Sequence, residues 1–181
     1  MNNLKGAIPQ SMVKGSGFVN TDLDFTDKGG ELFFANPKCF VVGLNDLPHL
    51  LFVTPEFDER DLPTALSEKI YDVKKIILKT TFSDEIIRKQ YYNIPNWLIK
   101  FNKVECIDFE DANLDKLAIL NECPIEHFTF NNVKFDDKEK ISSAILQFNN
   151  LKSISCDLLL FVHLKDLFQE LNINVTILEE K

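Results

Sequence analysis

The sequence predicts an α/β fold built as a solenoid-like stack, a short horseshoe with parallel strands on its concave face and helices on its convex face. Three observations predict it. An apolar spacing that fits neither a helix nor a plain strand recurs in tandem. The copies return every 21 to 31 residues. Between them, the apolar residues switch to helical spacing.

The spacing is clearest in "VECIDFEDANL", where Val104, Ile107, Phe109 and Leu114 occupy positions 1, 4, 6 and 11 of a frame. "LPHLLFVTPEF" places Leu47, Leu50, Phe52 and Phe57 in the same frame. "IEHFTFNNVKF" supplies Ile125, Phe128, Phe130 and Phe135, and "LKSISCDLLLF" supplies Leu151, Ile154, Cys156 and Phe161. In "VKKIILKTTFS", Val73, Ile76 and Leu78 fit and Phe82 falls one place early, while Val175 and Ile177 form a degraded last copy. The fourth positions, 50, 76, 107, 128, 154 and 175, are separated by 26, 31, 21, 26 and 21 residues. Such a return marks stacked units, none of which can bury its apolar face alone.

Before the first copy, residues 1 to 43 read as an N-terminal cap over the stack, which residues 44 to 181 build. Residues 1 to 40 hold five of the six glycines. "TDLDF" and "ELFFA" are strand candidates, with a hairpin around "TDKGG". Between the later strands, "SDEIIRKQYYNIPNWLIKF" opens on Ser83 as a helix N-cap, and the helix breaks near Pro95. "NLDKLAILNE" is a shorter helix. "DDKEKISSAILQF" carries Ile141, Ile145 and Phe148 at helical spacing, and "LKDLFQELN" carries Leu164, Leu167, Phe168 and Leu171.

In these copies the chain resembles the leucine-rich-repeat family, whose frame is LxxLxLxxNxL, over residues 44 to 178. Two lead-ins resemble that family's approach to a strand: Ile94, Pro95, Leu98 and Phe101 before Val104, and Leu62 to Ile70 before Val73. The chain departs from the family at position 9, usually Asn, where it has Pro55, Thr81, Ala112, Val133 and Leu159. No asparagine ladder is expected at that position, so the turns must be held otherwise. The resemblance implies binding of a partner through exposed strand positions on the concave face.

Those positions are 3, 5 and 7, which alternate away from the core. Position 3 reads His49, Lys75, Cys106, His127 and Ser153. Position 5 reads Leu51, Ile77, Asp108, Thr129 and Ser155. Position 7 reads Val53, Lys79, Glu110, Asn131 and Asp157. Lys75, Lys79, Asp108, Glu110, His127, Asn131 and Asp157 are therefore the expected partner-binding residues. Residues 73 to 100 carry six basic and two acidic groups, and residues 101 to 181 carry eight basic and fifteen acidic ones. That division suits a split electrostatic footprint for a protein partner.

Whole-chain properties narrow the function. A chain of 181 residues, 45% apolar, suits one well-buried domain. The net charge of −8 argues against nucleic acid and anionic membrane surfaces, and suits a basic protein partner. The opening "MNNLKGAIPQSMVKG" lacks the apolar run of a signal peptide, and no stretch reaches the roughly 20 apolar residues of a membrane span. Cys39, Cys106, Cys123 and Cys156 form no CxxC pair, so free thiols and a cytoplasmic location are expected. Abundant Asn, Ile, Lys and Phe point to a bacterial source.

Chemical motifs are sparse. Cys106 and His127 share a column on adjacent strands, roughly 5 Å apart, so a thiol nucleophile with an imidazole base is one candidate, with Asp108 or Glu110 orienting the ring. No oxyanion hole or pocket accompanies it in the sequence. His49 and His127 lie three strands apart, roughly 14 Å, too far to share an ion, and no metal or cofactor is expected. His163 is placed on the convex side. Trp97, with Tyr91 and Tyr92, is either a capping element of the core or an exposed anchor. The expected function is a monomeric, non-catalytic module that binds a protein. An acidic immunity or inhibitor protein masking a basic toxin or enzyme, a Cys/His enzyme and a self-stacking assembly subunit are the alternatives.

Overall fold

The computed structural model describes residues 31–45, 47–80 and 91–178. The fold is mixed α/β, with several helices on a mostly parallel, open central sheet. The expected Ser83 N-cap and the "TDLDF" and "TDKGG" hairpin lie outside the described residues.

The chain enters through an antiparallel meander: β1 (Glu31–Asn36), β2 (Cys39–Leu44) and β3 (Leu47–Val53). "ELFFA" is thus a strand, as the sequence predicts. Its partner is β2, reached through a turn in which Asn36 Oδ1 accepts the amides of Lys38 and Cys39, each at 2.8 Å. That side-chain mimicry of a backbone turn is what Asn supplies. At Gly43 the β2–β3 register shifts, and a Cβ there would lie 2.1 Å from the Phe33 ring and 2.5 Å from the Leu47 carbonyl oxygen. Only glycine fits.

After β3 all main-sheet pairing is parallel. β4 (Lys75–Leu78), β6 (Cys106–Glu110), β8 (His127–Asn131), β9 (Ser153–Cys156) and β10 (Asn174–Ile177) follow in order. A two-stranded parallel pair, β5 (Tyr92–Asn93) and β7 (Ala112–Asn113), lies beside the sheet. The connections are α1 (Thr64–Ser67), α2 (Lys138–Leu146), α3 (Leu158–Glu170) and short 3-10 turns. "NLDKLAILNE" forms such a turn over Leu114–Leu120, kinked at Lys116, rather than an α-helix. Asp137 caps α2 and Asp157 caps α3 through their side chains.

The predicted register holds from β4 onward. Ile76, Ile107, Phe128, Ile154 and Val175 stand opposite one another, and so do Leu78, Phe109, Phe130, Cys156 and, at the edge, Ile177. Except for Ile177, which is exposed at the sheet edge, these residues face the connections and form or pack against the main core with Leu66, Leu98, Leu117, Ile141, Ile145 and Leu164. Both proline lead-ins bury the spaced residues predicted for them, since Leu62, Leu66, Ile70 and Val73 pack there, as do Ile94, Leu98, Phe101 and Val104. Phe109, Phe128 and Phe130 stack with centroids 5.1 to 6.3 Å apart, and Phe148 meets Phe128 edge-on at 5.0 Å.

The first copy is displaced by one residue. Leu51 and Val53, rather than Leu50 and Phe52, stand beside Ile76 and Leu78 in the main core. Leu50 and Phe52 turn to the opposite face and join Ala35, Phe40, Val42 and Ile77 in a second apolar cluster. The physical reason is that Leu50, Leu51, Phe52 and Val53 are all buried. A strand apolar on both faces has no alternation to fix its register.

The turns are held by a polar ladder one place before the expected asparagine position. Asp111, 2% exposed, accepts a hydrogen bond from Thr80 Oγ1 at 2.7 Å and another from Asn132 Nδ2 at 2.7 Å. The Asn132 amide donates to Asp157 Oδ2 at 3.0 Å, and Asp157 Oδ1 accepts from the Leu160 amide at the start of α3. Asp111 and Asn132 have φ of 65° and 50°. Asp and Asn tolerate this left-handed region better than other side chains.

Two stability predictions follow from this packing. Phe128→Ala should lower unfolding free energy by about 3–5 kcal/mol, through lost transfer energy and a cavity in the ring stack. Asp111→Ala should cost at least about 2 kcal/mol, because the Thr80 hydroxyl and Asn132 amide lose a buried acceptor. Urea denaturation of both variants checks the values; a loss under about 0.5 kcal/mol for Asp111→Ala, the range of ordinary surface changes, would show that the ladder is not needed.

Candidate binding face

The sheet face opposite the described helices carries most of the residues singled out in the sequence. Cys106, Asp108 and Glu110 alternate with buried Ile107 and Phe109 along β6. His127, Thr129 and Asn131 do the same along β8, beside them in register. Lys75 stands opposite Cys106, and Ile77 opposite Asp108. Lys79 follows β4 directly, and its ammonium meets Glu110 at 3.2 Å. Opposite charges of neighbouring copies are thus joined within the chain, which reduces the predicted charge division at that point.

The first copy contributes differently from the expectation. With β3 displaced, Leu50 and Phe52 occupy the columns assigned to His49 and Leu51. His49 lies one step earlier, where its carbonyl accepts the Lys74 amide. Burial, followed by the nearby Lys74 charge, lowers its pKa. Asp157 is not part of a strand, because β9 ends at Cys156. Its carboxylate caps α3 and anchors Asn132. His127 and Asn131 are exposed; Lys75, Asp108 and Glu110 are half-buried.

Cys106 and His127 are register partners, yet their side-chain hydrogen bonds lead apart. His127 Nδ1 bonds to Ser153 Oγ, while Cys106 Sγ lies 3.8 Å from Asp108 Oδ1. Burial, reinforced by the Asp108 charge, pushes the Cys106 thiol up to about 12. A nucleophilic cysteine needs the opposite shift, toward thiolate at neutral pH. Burial also raises Asp108, against the influence of Lys75 and a hydrogen bond from Thr129.

Among the described residues, no group of three or more His, Cys, Asp and Glu is placed to hold a metal. All four cysteines are free. No described helix is long and apolar enough to cross a membrane. His163 lies on α3, where its ring meets Phe135 edge-on at 5.8 Å.

Two clefts lie away from the strand columns. One, of about 520 Å³, is lined by Glu105, Pro124, Glu126, Asn149, Asn150, Leu151 and Lys152. The other is aromatic and includes Trp97, Phe57 and Tyr71. Trp97 is half-buried, and its Nε1 donates to the Pro55 carbonyl at 3.3 Å. Only Trp97 drew attention to this second cleft in the sequence. Phe57 and Tyr71 are brought to it by the β3–β4 connection, which no local spacing reveals.

Compared with known proteins, the chain matches no family model, no curated protein and no solved structure.

The buried thiols give a pH prediction with a definite sign. Cys39 and Cys106 are pushed up to about 12 and Cys156 to about 11, each chiefly by burial. In the unfolded chain these thiols ionise near about 8.5. Their contribution to stability is therefore complete below that pH and is lost as pH rises toward 11 and 12. Unfolding free energy measured at intervals from pH 8 to 11 should fall, and Cys106→Ala should fall less steeply. Identical slopes for the two proteins would show that the Cys106 thiol is not shielded.

Proposed function

We propose that the chain is a non-catalytic protein-binding module, a degenerate leucine-rich-repeat-like solenoid whose sheet face opposite the described helices is concave and takes a protein partner. In this reading residues 1–43 are the N-terminal cap and residues 44–181 the repeat body; β2 crosses that boundary, so cap and body share a sheet. The observation that carries the reading is the parallel register of Lys75, Cys106, His127 and Ser153, with Asp108, Thr129 and Ser155 beside them. It presents polar side chains from four adjacent strands on one face. Side chains held by a sheet lose little freedom on binding, so the cost of docking falls mainly on the partner.

A protein is a better occupant than a small molecule, because the columns are broad and both described clefts lie elsewhere. The net charge of −8 favours a basic partner, as for an inhibitor that masks a basic protein. The raised Cys106 thiol weighs against the Cys/His enzyme alternative. The reading includes a monomeric state in the cytoplasm without a cofactor.

The test uses exposed positions that leave the core intact. His127→Glu with Asn131→Arg should weaken capture of the native partner at least about tenfold, a loss typical of a central interface position. Thermal unfolding should stay close to that of the parent chain. Lys116→Glu with Lys140→Glu, on the connection side, should leave capture unchanged. Loss of capture only in the second pair would place the partner on the other face.

A further inference from the structure

The aromatic cleft has a volume of about 230 Å³ and is lined by Phe57, Asp58, Glu59, Tyr71, Trp97, Lys100 and Phe101. Its floor is fully buried Phe101. Around that floor the rings meet at steep angles rather than stacking. Phe57 and Trp97 lie 5.1 Å apart at 59°, Tyr71 and Phe101 4.9 Å at 61°, and Trp97 and Phe101 5.9 Å at 69°. Phe57 and Phe101 are buried, so the half-buried rings of Tyr71 and Trp97 are the ones left accessible to a cation.

The chain already places a cation there. The Lys100 ammonium lies 5.9 Å from the Tyr71 ring centroid and 3.4 Å from Glu59 Oε1. The nearby Tyr71 hydroxyl is the chief influence holding the Glu59 carboxyl below its ordinary range. Both partners of the Lys100–Glu59 pair are open to water, with side chains 59% and 36% exposed. Such an exposed pair is weak and exchanges readily. Asp58 is already engaged, since Arg60 Nε contacts its two oxygens at 3.1 and 3.0 Å and a terminal nitrogen reaches Oδ2 at 2.6 Å. A guanidinium would need a free two-oxygen carboxylate. An ammonium needs the single carboxylate and the rings that Lys100 now uses.

We propose that this cleft binds an alkylammonium side chain, lysine or its N-methylated forms, presented by a basic partner protein, in exchange for Lys100. The volume is several times the roughly 30 Å³ share of one water in the liquid, enough for the end of a lysine side chain. When Lys100 swings out, Glu59 is left for the incoming cation. N-methyl groups increase contact with the rings and reduce the hydration that must be lost. The site lies on the connection side of the sheet and does not depend on the opposite sheet face proposed above, so either can fail alone.

Trp97 is the chain's one tryptophan, so its fluorescence reports this cleft directly. The full chain is titrated with N-acetyl-trimethyllysine amide and, separately, with its uncharged isostere bearing a tert-butyl group. A saturable Trp97 signal is expected, with the charged probe binding about three- to tenfold tighter than the isostere. Lys100→Ala should tighten binding of the charged probe by removing the internal competitor, and Glu59→Gln should weaken it. Unchanged melting temperatures would show that both variants fold. Absence of a saturable signal, equal affinity for the isostere, or indifference to both substitutions would overturn the proposal.

Discussion

The buried carboxylate of Asp111 fixes the step between successive strands, and the arrangement of the sheet depends on it. Parallel strands joined by long connections have no tight hairpin to set their register. A one-residue slip would turn every core side chain outward. Here Thr80, after β4, and Asn132, after β8, both reach Asp111, which lies between them after β6. Asn132 is tied in turn to Asp157, and Asp157 to the first turn of α3. The chain thus links turns from three connections to the start of the last helix. A carboxylate can be buried at this point because hydrogen bonds replace its hydration. With the turns locked, Ile76, Ile107, Phe128 and Ile154 are held on one face and Lys75, Cys106, His127 and Ser153 on the other.

The parallel strands were legible in the sequence because their apolar residues alternate cleanly. "CIDFE" and "HFTFN" each bury the second and fourth residues and leave the rest accessible. The lead-ins were legible for a similar reason: each has a proline as its second residue, and the spaced residues behind it have one side to bury. β3 was misread by one place because "LLFV" is apolar on both faces, and the pairing that decides its register comes from β2 and β4. The polar ladder was missed because it stands at Thr80, Asp111 and Asn132, one residue before the place the family resemblance directs attention to. Its members are common surface residue types, and only the fold shows that Asp111 is buried. The aromatic cleft was partly legible through Trp97, while its other walls come from a separate connection.

The charge pattern of the sheet face opposite the described helices is less simple than its sequence. Column by column, basic residues of β4 give way to acidic residues of β6. In space, Lys79 reaches Glu110, and Lys75 is close enough to influence Asp108. Burial raises Asp108, and Asp157 is committed to a helix cap. For the proposed partner, the exposed polar positions in these columns are His127 and Asn131, while Leu50, Phe52 and Ile77 towards β3 are buried. A surface of this kind favours hydrogen-bond matching over long-range steering. Charge elsewhere on the chain can still speed encounter with a basic protein.

The polar columns and the aromatic cleft lie on opposite sides of one packed core. Phe101, the floor of the cleft, belongs to the same buried cluster as Ile107 and Phe128, whose strands carry the polar columns on their other face. One small rigid partner could not cover both, because the sheet stands between them. Two partners could bind together, or one long basic chain could pass around the edge. In the second case the cleft would supply a weak anchor and the columns a broad contact, joined by effective concentration rather than by structural change. The distinction follows from geometry alone: a rigid sheet separates the surfaces, and Asp111 with its ladder keeps that sheet in register.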